Sequence, residues 1–277
     1  MELRPTTVGD LPDLHELFLG AVAAVYRPHG FEPPTPPLDV FAGQQQHILE
    51  SGGTSAVALR DERIVGFASA WSRAGDWFLA SLFVAPAAQS AGVGRALLDG
   101  VWGAGYERRR TITDAIQPVS NAIYAARGLT PATPVLAFGG RPTPGPEAPA
   151  EGRGDLSVID AAAYGFDRKA DHGYWARHAR RTVWMRNGQA VAYSYAFAGG
   201  AIGPVAGVDP VAAAAALEGE LSRASGAVTV RIPGSSRSLV AAALRRGLRL
   251  SPTPGLLLLS DEAVSPTSLA IGSYTLF

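Results

Sequence analysis

Apolar residues recur with helical and strand spacing in turn along the first 140 positions. Leu11, Leu14, Leu17 and Phe18 share one helical face, so Asp10 to Leu19 is expected to form an amphipathic helix. The Pro-rich run Phe31-Glu32-Pro33-Pro34-Thr35-Pro36-Pro37 predicts a loop, and Leu38 to Glu50 a second helix. Ala56 to Leu59 and Ile64 to Ala68 flank the polar tip Asp61-Glu62, which predicts a hairpin. Trp77 to Val84 is almost continuously apolar, the pattern of a strand buried on both faces. A Gly-bearing loop, a helix over Arg95 to Gly103 and a strand over Thr111 to Ile116 follow. A short helix over Ser120 to Ala126, ending at Gly128, and a strand over Val135 to Phe138 complete the series.

Pro142, Pro144, Pro146 and Pro149 then interrupt all periodicity, and residues 141–155 are expected to link two domains, 1–140 and 156–277. The second half echoes the first. Arg186 to Tyr193 repeats the pattern of Arg60 to Phe67, with Asn187-Gly188 suited to a tight hairpin turn. Val208-Asp209-Pro210 echoes Val84-Ala85-Pro86, and Gly247-Leu248 echoes Gly128-Leu129. The three pairings are offset by 126, 124 and 119 residues, so two copies of one fold are expected.

Composition narrows the function. The 24 Lys+Arg balance the 24 Asp+Glu, which gives no electrostatic case for nucleic acid or for an anionic membrane surface. Of the basic residues, 23 are Arg and only Lys169 is Lys, a coding-composition bias rather than chemistry. With no cysteine there is no disulfide framework, no thiolate metal site and no cysteine nucleophile. The start, Met1-Glu2-Leu3-Arg4-Pro5, has no apolar leader, and no apolar run approaches the roughly 20 residues of a spanning helix. The expected location is the cytoplasm. No two His share a helix face with an acid, so no metal is expected.

One segment carries a chemical signal. The buried strand ends at Leu82-Phe83-Val84, the chain turns at Pro86, and Gln89-Ser90-Ala91-Gly92-Val93-Gly94 opens directly into a helix beginning near Arg95. Small residues there leave backbone N–H groups exposed, and the helix N-terminus adds free donors and partial positive charge, which suit a pyrophosphate. Taken alone, this is also how a tight strand-to-helix connection reads. The Lys of a phosphate-binding P-loop and the third Gly of a dinucleotide fingerprint are both absent.

With the downstream segment Ser120-Asn121-Ala122-Ile123-Tyr124-Ala125-Ala126-Arg127-Gly128-Leu129, the loop resembles the GCN5-related N-acetyltransferase (GNAT) superfamily. The motif elements are Val84-x-Pro86, Gln89-x-x-Gly92-x-Gly94, Asn121 and Tyr124-x-x-x-Gly128-Leu129. Leu129 stands where the family has Phe, and Ser90-Ala91 where Gly-Lys is frequent. The resemblance, which covers about residues 1 to 140, implies an α/β (α+β) architecture with two GNAT-like domains, each a mixed central sheet flanked by helices. It implies acetyl-CoA as co-substrate and a small-molecule or peptide amine as acceptor. Leu82, Phe83 and Val84 would pair with the pantetheine arm. Gln89, Ser90, Ala91, Gly92, Val93, Gly94 and Arg95 would hold the pyrophosphate. Asn121 would bond the pantetheine or the helix frame, and Tyr124 would protonate the leaving thiolate.

The general base is not readable. Asp76 and Asp114 are the nearby carboxylates, a water chain would need no side chain, and His15, His29 and His47 fall where the family builds its acceptor pocket. Arg108-Arg109-Arg110 could meet the 3′-phosphate or simply be solvated. The second copy lacks these parts: Tyr124 maps to Ala243 and Asn121 to Val240. Forty-two residues separate Pro86 from Gly128, whereas 37 separate Pro210 from Gly247, and Val211 to Ala216 begins a helix at once. The second half is therefore expected to be degenerate, with Asp171-His172-Gly173-Tyr174-Trp175 either lining a pocket or packing a surface helix. Without a Cys relay, transfer would be direct. A non-catalytic acyl-CoA sensor is the alternative.

Overall fold

The predicted alternation of helices and strands is present in the computed structural model, which describes residues 1–277. The chain is mixed α/β and divides into two units, one of residues 1–111, 116–130 and 260–263, the other of residues 112–115, 131–259 and 264–277. No helix is long and apolar enough to cross a membrane.

In the first unit the elements are β1 (Glu2–Pro5), α1 (Leu11–Tyr26), α2 (Leu38–Glu50), β2 (Thr54–Arg60), β3 (Arg63–Arg73), β4 (Asp76–Val84), α3 (Val93–Val101), β5 (Arg108–Asp114) and α4 (Pro118–Ala125). The strands lie in the order β1-β2-β3-β4-β5, antiparallel except for the parallel β4–β5 pair. Asp61 and Glu62 turn the predicted hairpin with positive φ at both positions, the backbone of a type I′ turn. Leu11, Leu14 and Phe41 of the first two helices bury one sheet face with Val57 and Phe67. Gly66 precedes Phe67 on β3 and so faces the other way. A Cβ there would lie 2.9 Å from Leu97 Cδ1 and 3.0 Å from the Phe83 carbonyl oxygen. The missing side chain lets α3 settle directly on the sheet.

A fork of hydrogen bonds fixes the entry to α1. Arg4 donates to both oxygens of Asp10 at 2.7 and 2.8 Å, and the Thr7 N–H and hydroxyl reach Asp10 Oδ2 at 2.8 and 2.9 Å. The Arg4 bond above all, with those from Thr7, holds the Asp10 carboxyl well below the usual carboxylate range. Because the folded-state value is depressed, this stability is present above the unfolded value near 4 and is lost as pH falls through the folded one. Asp10→Asn, which loses the charge-assisted bonds to Arg4, should cost about 1 kcal/mol at pH 7. In paired urea melts that gap should stay constant above about pH 5 and close toward pH 2; a gap independent of pH would refute the assignment.

In the second unit the elements are β6 (Thr130–Gly140), α5 (Ser157–Tyr164), α6 (Lys169–His178), β7 (Ala179–Arg186), β8 (Gln189–Phe197), β9 (Ala201–Gly207), α7 (Pro210–Arg223), β10 (Val228–Pro233), α8 (Arg237–Arg245), β11 (Arg249–Leu250), β12 (Gly255–Leu259) and β13 (Leu269–Ala270). The sheet runs β7-β8-β9-β10-β6-β12, with β13 paired to β9 and β11 to β6. Asn187 and Gly188 have positive φ and make the predicted β7–β8 turn. The core lies between the sheet and the pair α7 and α8, where Leu217, Leu221 and Leu239 pack with Val205 and Val230. The Pro-rich segment after Gly140 is irregular and runs along this unit. Its Thr143 N–H donates to Arg246 O at 2.9 Å and its Gly152 N–H to Val183 O at 3.0 Å.

The backbone corrects one feature of the repeat. Ala85 N–H donates to Val65 O and Val208 N–H to Val191 O, so Ala85 and Val208 are counterparts. Val84 then corresponds to Gly207, one residue earlier than the Val-x-Pro echo suggests. Asp209 and Pro210 belong to the start of α7, where the Asp209 carboxylate accepts the Ala212 N–H at 2.7 Å.

Candidate active site

The sheet of the first unit opens at one place. β5 pairs with β4 only from Asp76↔Arg108 to Leu79↔Thr111, although β4 continues to Val84. The β3–β4 register shifts between Ser69↔Ser81 and Ala70↔Leu79, so Ala80 is an extra residue. A bulge increases local twist and bends the strand that carries it. Here it falls one residue beyond the last β4–β5 pair, where Thr111 Oγ1 donates to Leu79 O at 3.0 Å. Beyond that point one edge of β4 is unpaired. Ala85 N–H turns toward β3, so alternation along the strand turns the N–H groups of Val84 and Leu82 to the open side. Phe83 instead packs its ring 5.0 Å from Phe18 and 5.5 Å from Phe67.

The open edge leads into the loop. Ser90 (φ 64°) and Gly92 (φ 77°) are left-handed, and Gly92 is the N-cap of α3. Ser90, Ala91, Gly92 and Arg95 are exposed, while Val93 is buried beneath the helix start. A Cβ on Gly94 would make ordinary contact with Val84 Cγ2 at 3.5 Å, so the start of α3 lies against the end of β4. Gln89 folds back, its Nε2 donating to Val84 O at 3.2 Å, and so shapes the end of the open edge. A cavity of about 210 Å³ lies beside this loop, walled by Gln89, by Val25 at the end of α1 and Pro28 and His29 after it, and by Gln117 and Pro118 at the start of α4.

On α4, Asn121 is half-buried and Tyr124 is 4% exposed. The Ser120 hydroxyl bonds that of Tyr124, but burial dominates and pushes the Tyr124 phenol well above its ordinary value. Gly128, at φ 79°, ends the helix, and Leu129 is fully buried in the place of the family's Phe.

Several candidates lie elsewhere. Asp76 is buried between Arg108 and Arg110 at 2.8 and 2.7 Å, at the opposite end of β4 from the loop. It is an ion-pair partner and not a base. Arg109 caps α3, donating to Trp102 O at 2.5 Å and Gly103 O at 3.0 Å, with its guanidinium 4.4 Å from the Trp102 ring. The three arginines are thus neither a phosphate site nor a solvated run. Strict register explains it, because β5 is parallel to β4 and starts where β4 starts. His15 Nε2 donates to Pro36 O at 2.8 Å and its ring packs on Phe41, His47 is buried, and only His29 reaches the cavity. The Ala80 bulge escaped the sequence reading because an extra residue inside an apolar run leaves no break in the pattern.

In the second unit only Val208 and Asp209 stand between β9 and α7, so there is no counterpart of the loop before α3. Asp171, His172, Tyr174 and Trp175 are buried, as the packed-helix reading expects. His172 bridges Tyr195 Oη at 2.9 Å and Asp160 at 3.0 Å, and Tyr193 donates to the same carboxylate at 2.8 Å.

Residues 51–128, which hold the bulge, the open edge, the loop and α4 as far as Gly128, match the acetyltransferase (GNAT) domain family. The match to a GNAT domain spans this segment alone. The GNAT-like architecture extends over both units: a putative acetyltransferase from Pyrococcus horikoshii superposes with a TM-score of 0.78 at 18% identity, covering 99% of this chain and 95% of that one. A GCN5-related N-acetyltransferase from Sphaerobacter thermophilus gives 0.61 at 16% identity, covering 99% and 98%. A tandem GNAT protein from the clavulanic acid biosynthesis pathway gives 0.61 at 14% identity, covering 95% and 99%. At such identities these likenesses concern the fold. No curated protein matches the sequence.

Proposed function

We propose that the chain is an acetyl-CoA-dependent N-acetyltransferase whose first unit is active and whose acceptor is a small amine or a peptide amine. One observation carries this reading: within the segment that matches the GNAT domain, the unpaired edge of β4 runs directly into the left-handed loop and the free N-terminus of α3. The residues fit acetyl-CoA. The N–H groups of Leu82 and Val84 offer strand-like pairing to the amides of a pantetheine arm. Ser90 to Gly94 offer backbone donors to a pyrophosphate, and exposed Arg95 adds a positive charge. With a formal net charge of zero, phosphate binding rests on this loop and not on a basic surface.

Transfer is direct. The neutral amine attacks the thioester carbonyl carbon, an edge N–H steadies the developing oxyanion, and the C–S bond breaks as Tyr124 gives its proton to the departing thiolate. The amine's surplus proton passes to water, and water returns a proton to the Tyr124 phenolate, which restores the phenol. With Asp76 held by two arginines, β4 supplies no side-chain base.

The test is thiol release from acetyl-CoA across a panel of small amines and N-terminal peptides, run beside calorimetry of acetyl-CoA binding. Release with at least one acceptor is expected. Binding without release for any acceptor would instead make the chain an acyl-CoA-binding module, and no binding would refute both.

A further inference from the structure

The second unit has the same opening in its sheet. β10 pairs in parallel with β9 only at Ala201 and Ile202. The β8–β9 register shifts between Ser194↔Val205 and Ala196↔Ile202, so β9 carries its irregularity where β4 carries Ala80. With Val84 matched to Gly207, Leu82 and Phe83 correspond to Val205 and Ala206.

Here the edge is not free. β13 pairs antiparallel with it, Leu269 opposite Ala206 and Ala270 opposite Val205. Gly207 N–H, the counterpart of the open Val84 N–H, donates to Ser268 O at 3.0 Å. On the other side, Ile271 N–H donates to Arg231 O on β10 at 2.9 Å. Residues 268–271 thus bridge the two splayed strands. Leu269, Ala270 and Ile271 are at most 1% exposed, and a Cβ on Gly203 would lie 2.3 Å from Ile271 O, which leaves no room for one.

The following residues are anchored too. Arg168, with no exposed surface, donates to backbone oxygens of Leu276 and Phe277 while pairing with Asp171 at 2.7 Å. Its own N–H reaches Asp160 at 2.9 Å, which ties the anchor to the His172 and Tyr193 network.

We infer that the second unit's acyl-carrier cleft is occupied in cis by residues 268–271, a strand standing where the first unit takes the pantetheine arm, so that one chain binds one acetyl-CoA. This rests on the assignment of the Leu82–Val84 edge to that arm. It also gives the degenerate half a physical cause beyond its missing loop: an edge whose donors are already paired has nothing to offer a pantetheine amide.

Amide hydrogen exchange on the whole chain, with and without acetyl-CoA, tests this alongside calorimetric stoichiometry. Gly207 should exchange slowly in the free protein and stay unchanged on addition of acetyl-CoA, at a stoichiometry of one. Val84 should exchange fast and become protected. Ala270→Pro, which removes a strand N–H, should speed Gly207 exchange at least 100-fold and leave acetylation by the first unit unchanged. Fast exchange of Gly207 in the unaltered protein, or a second acetyl-CoA bound per chain, would overturn the closure. Failure of acetyl-CoA to protect Val84 while Gly207 stays slow would overturn the edge assignment alone and leave the paired strand standing.

Discussion

Gly92→Glu should weaken acetyl-CoA binding about 100-fold or more while leaving the chain folded. Two effects act at this residue, and they can be separated. Its backbone is left-handed, at φ 77°, so any side chain costs about 1 kcal/mol of stability. Its surroundings are open, with nothing within 4 Å of an added Cβ, so there is no packing penalty. The large effect is electrostatic. A carboxylate roughly 5 Å from a bound phosphate costs on the order of 3 kcal/mol at an effective dielectric constant near 20, and a pyrophosphate presents more than one such charge. Gly52→Glu is the control. Gly52 is also left-handed, at φ 81°, and also open, but it lies in the turn between α2 and β2. It should lose the same stability and keep its affinity. Wild-type affinity in Gly92→Glu would remove the cofactor assignment; equal losses in the two variants would mean that strain, not charge, is responsible.

What the sequence disclosed and what it hid follow from how each feature is encoded. The loop was legible because left-handed backbone and a bare helix N-terminus demand small residues at fixed spacing, as at Gly92 and Gly94. Asn187-Gly188 was legible because its turn needs left-handed backbone, and Asp61-Glu62 because a polar pair interrupts two apolar runs. The Arg108–Arg110 run was misread because its partner, Asp76, is 32 positions from Arg108 and is brought there only by the parallel pairing of β4 and β5. The strand β9 was not anticipated, since Ala201-Ile202-Gly203-Pro204-Val205-Ala206-Gly207 holds two Gly and a Pro and has little strand propensity. The two-residue β13 could not be read at all. Its pairing is dictated by the open edge of β9, which is a property of the folded sheet and not of the segment itself.

The chemical step depends most on Tyr124, and Tyr124→Phe should lower kcat by about 10²–10⁴-fold with KM for acetyl-CoA unchanged. The substitution keeps the ring, and so the packing of a side chain that is 4% exposed. It removes one hydroxyl whose partner is Ser120, which should cost no more than about 1 kcal/mol of stability. The pH profile adds an independent reading. Burial raises the Tyr124 phenol above its ordinary value near 10, so the proton is in place throughout the neutral and mildly alkaline range. The wild-type kcat should therefore show no falling limb from this group below about pH 10. The transfer moves the negative charge from sulfur to the phenol oxygen, so burial, which opposes the phenolate, makes Tyr124 a weaker acid than a free phenol. A thioester with a more acidic leaving thiol needs that proton less, so the deficit of Tyr124→Phe should shrink with such a substrate. An unchanged kcat in the variant would make Tyr124 a packing aromatic and hand thiolate protonation to water. A deficit equally large for both leaving groups would mean that the hydroxyl orients the substrate instead of protonating it.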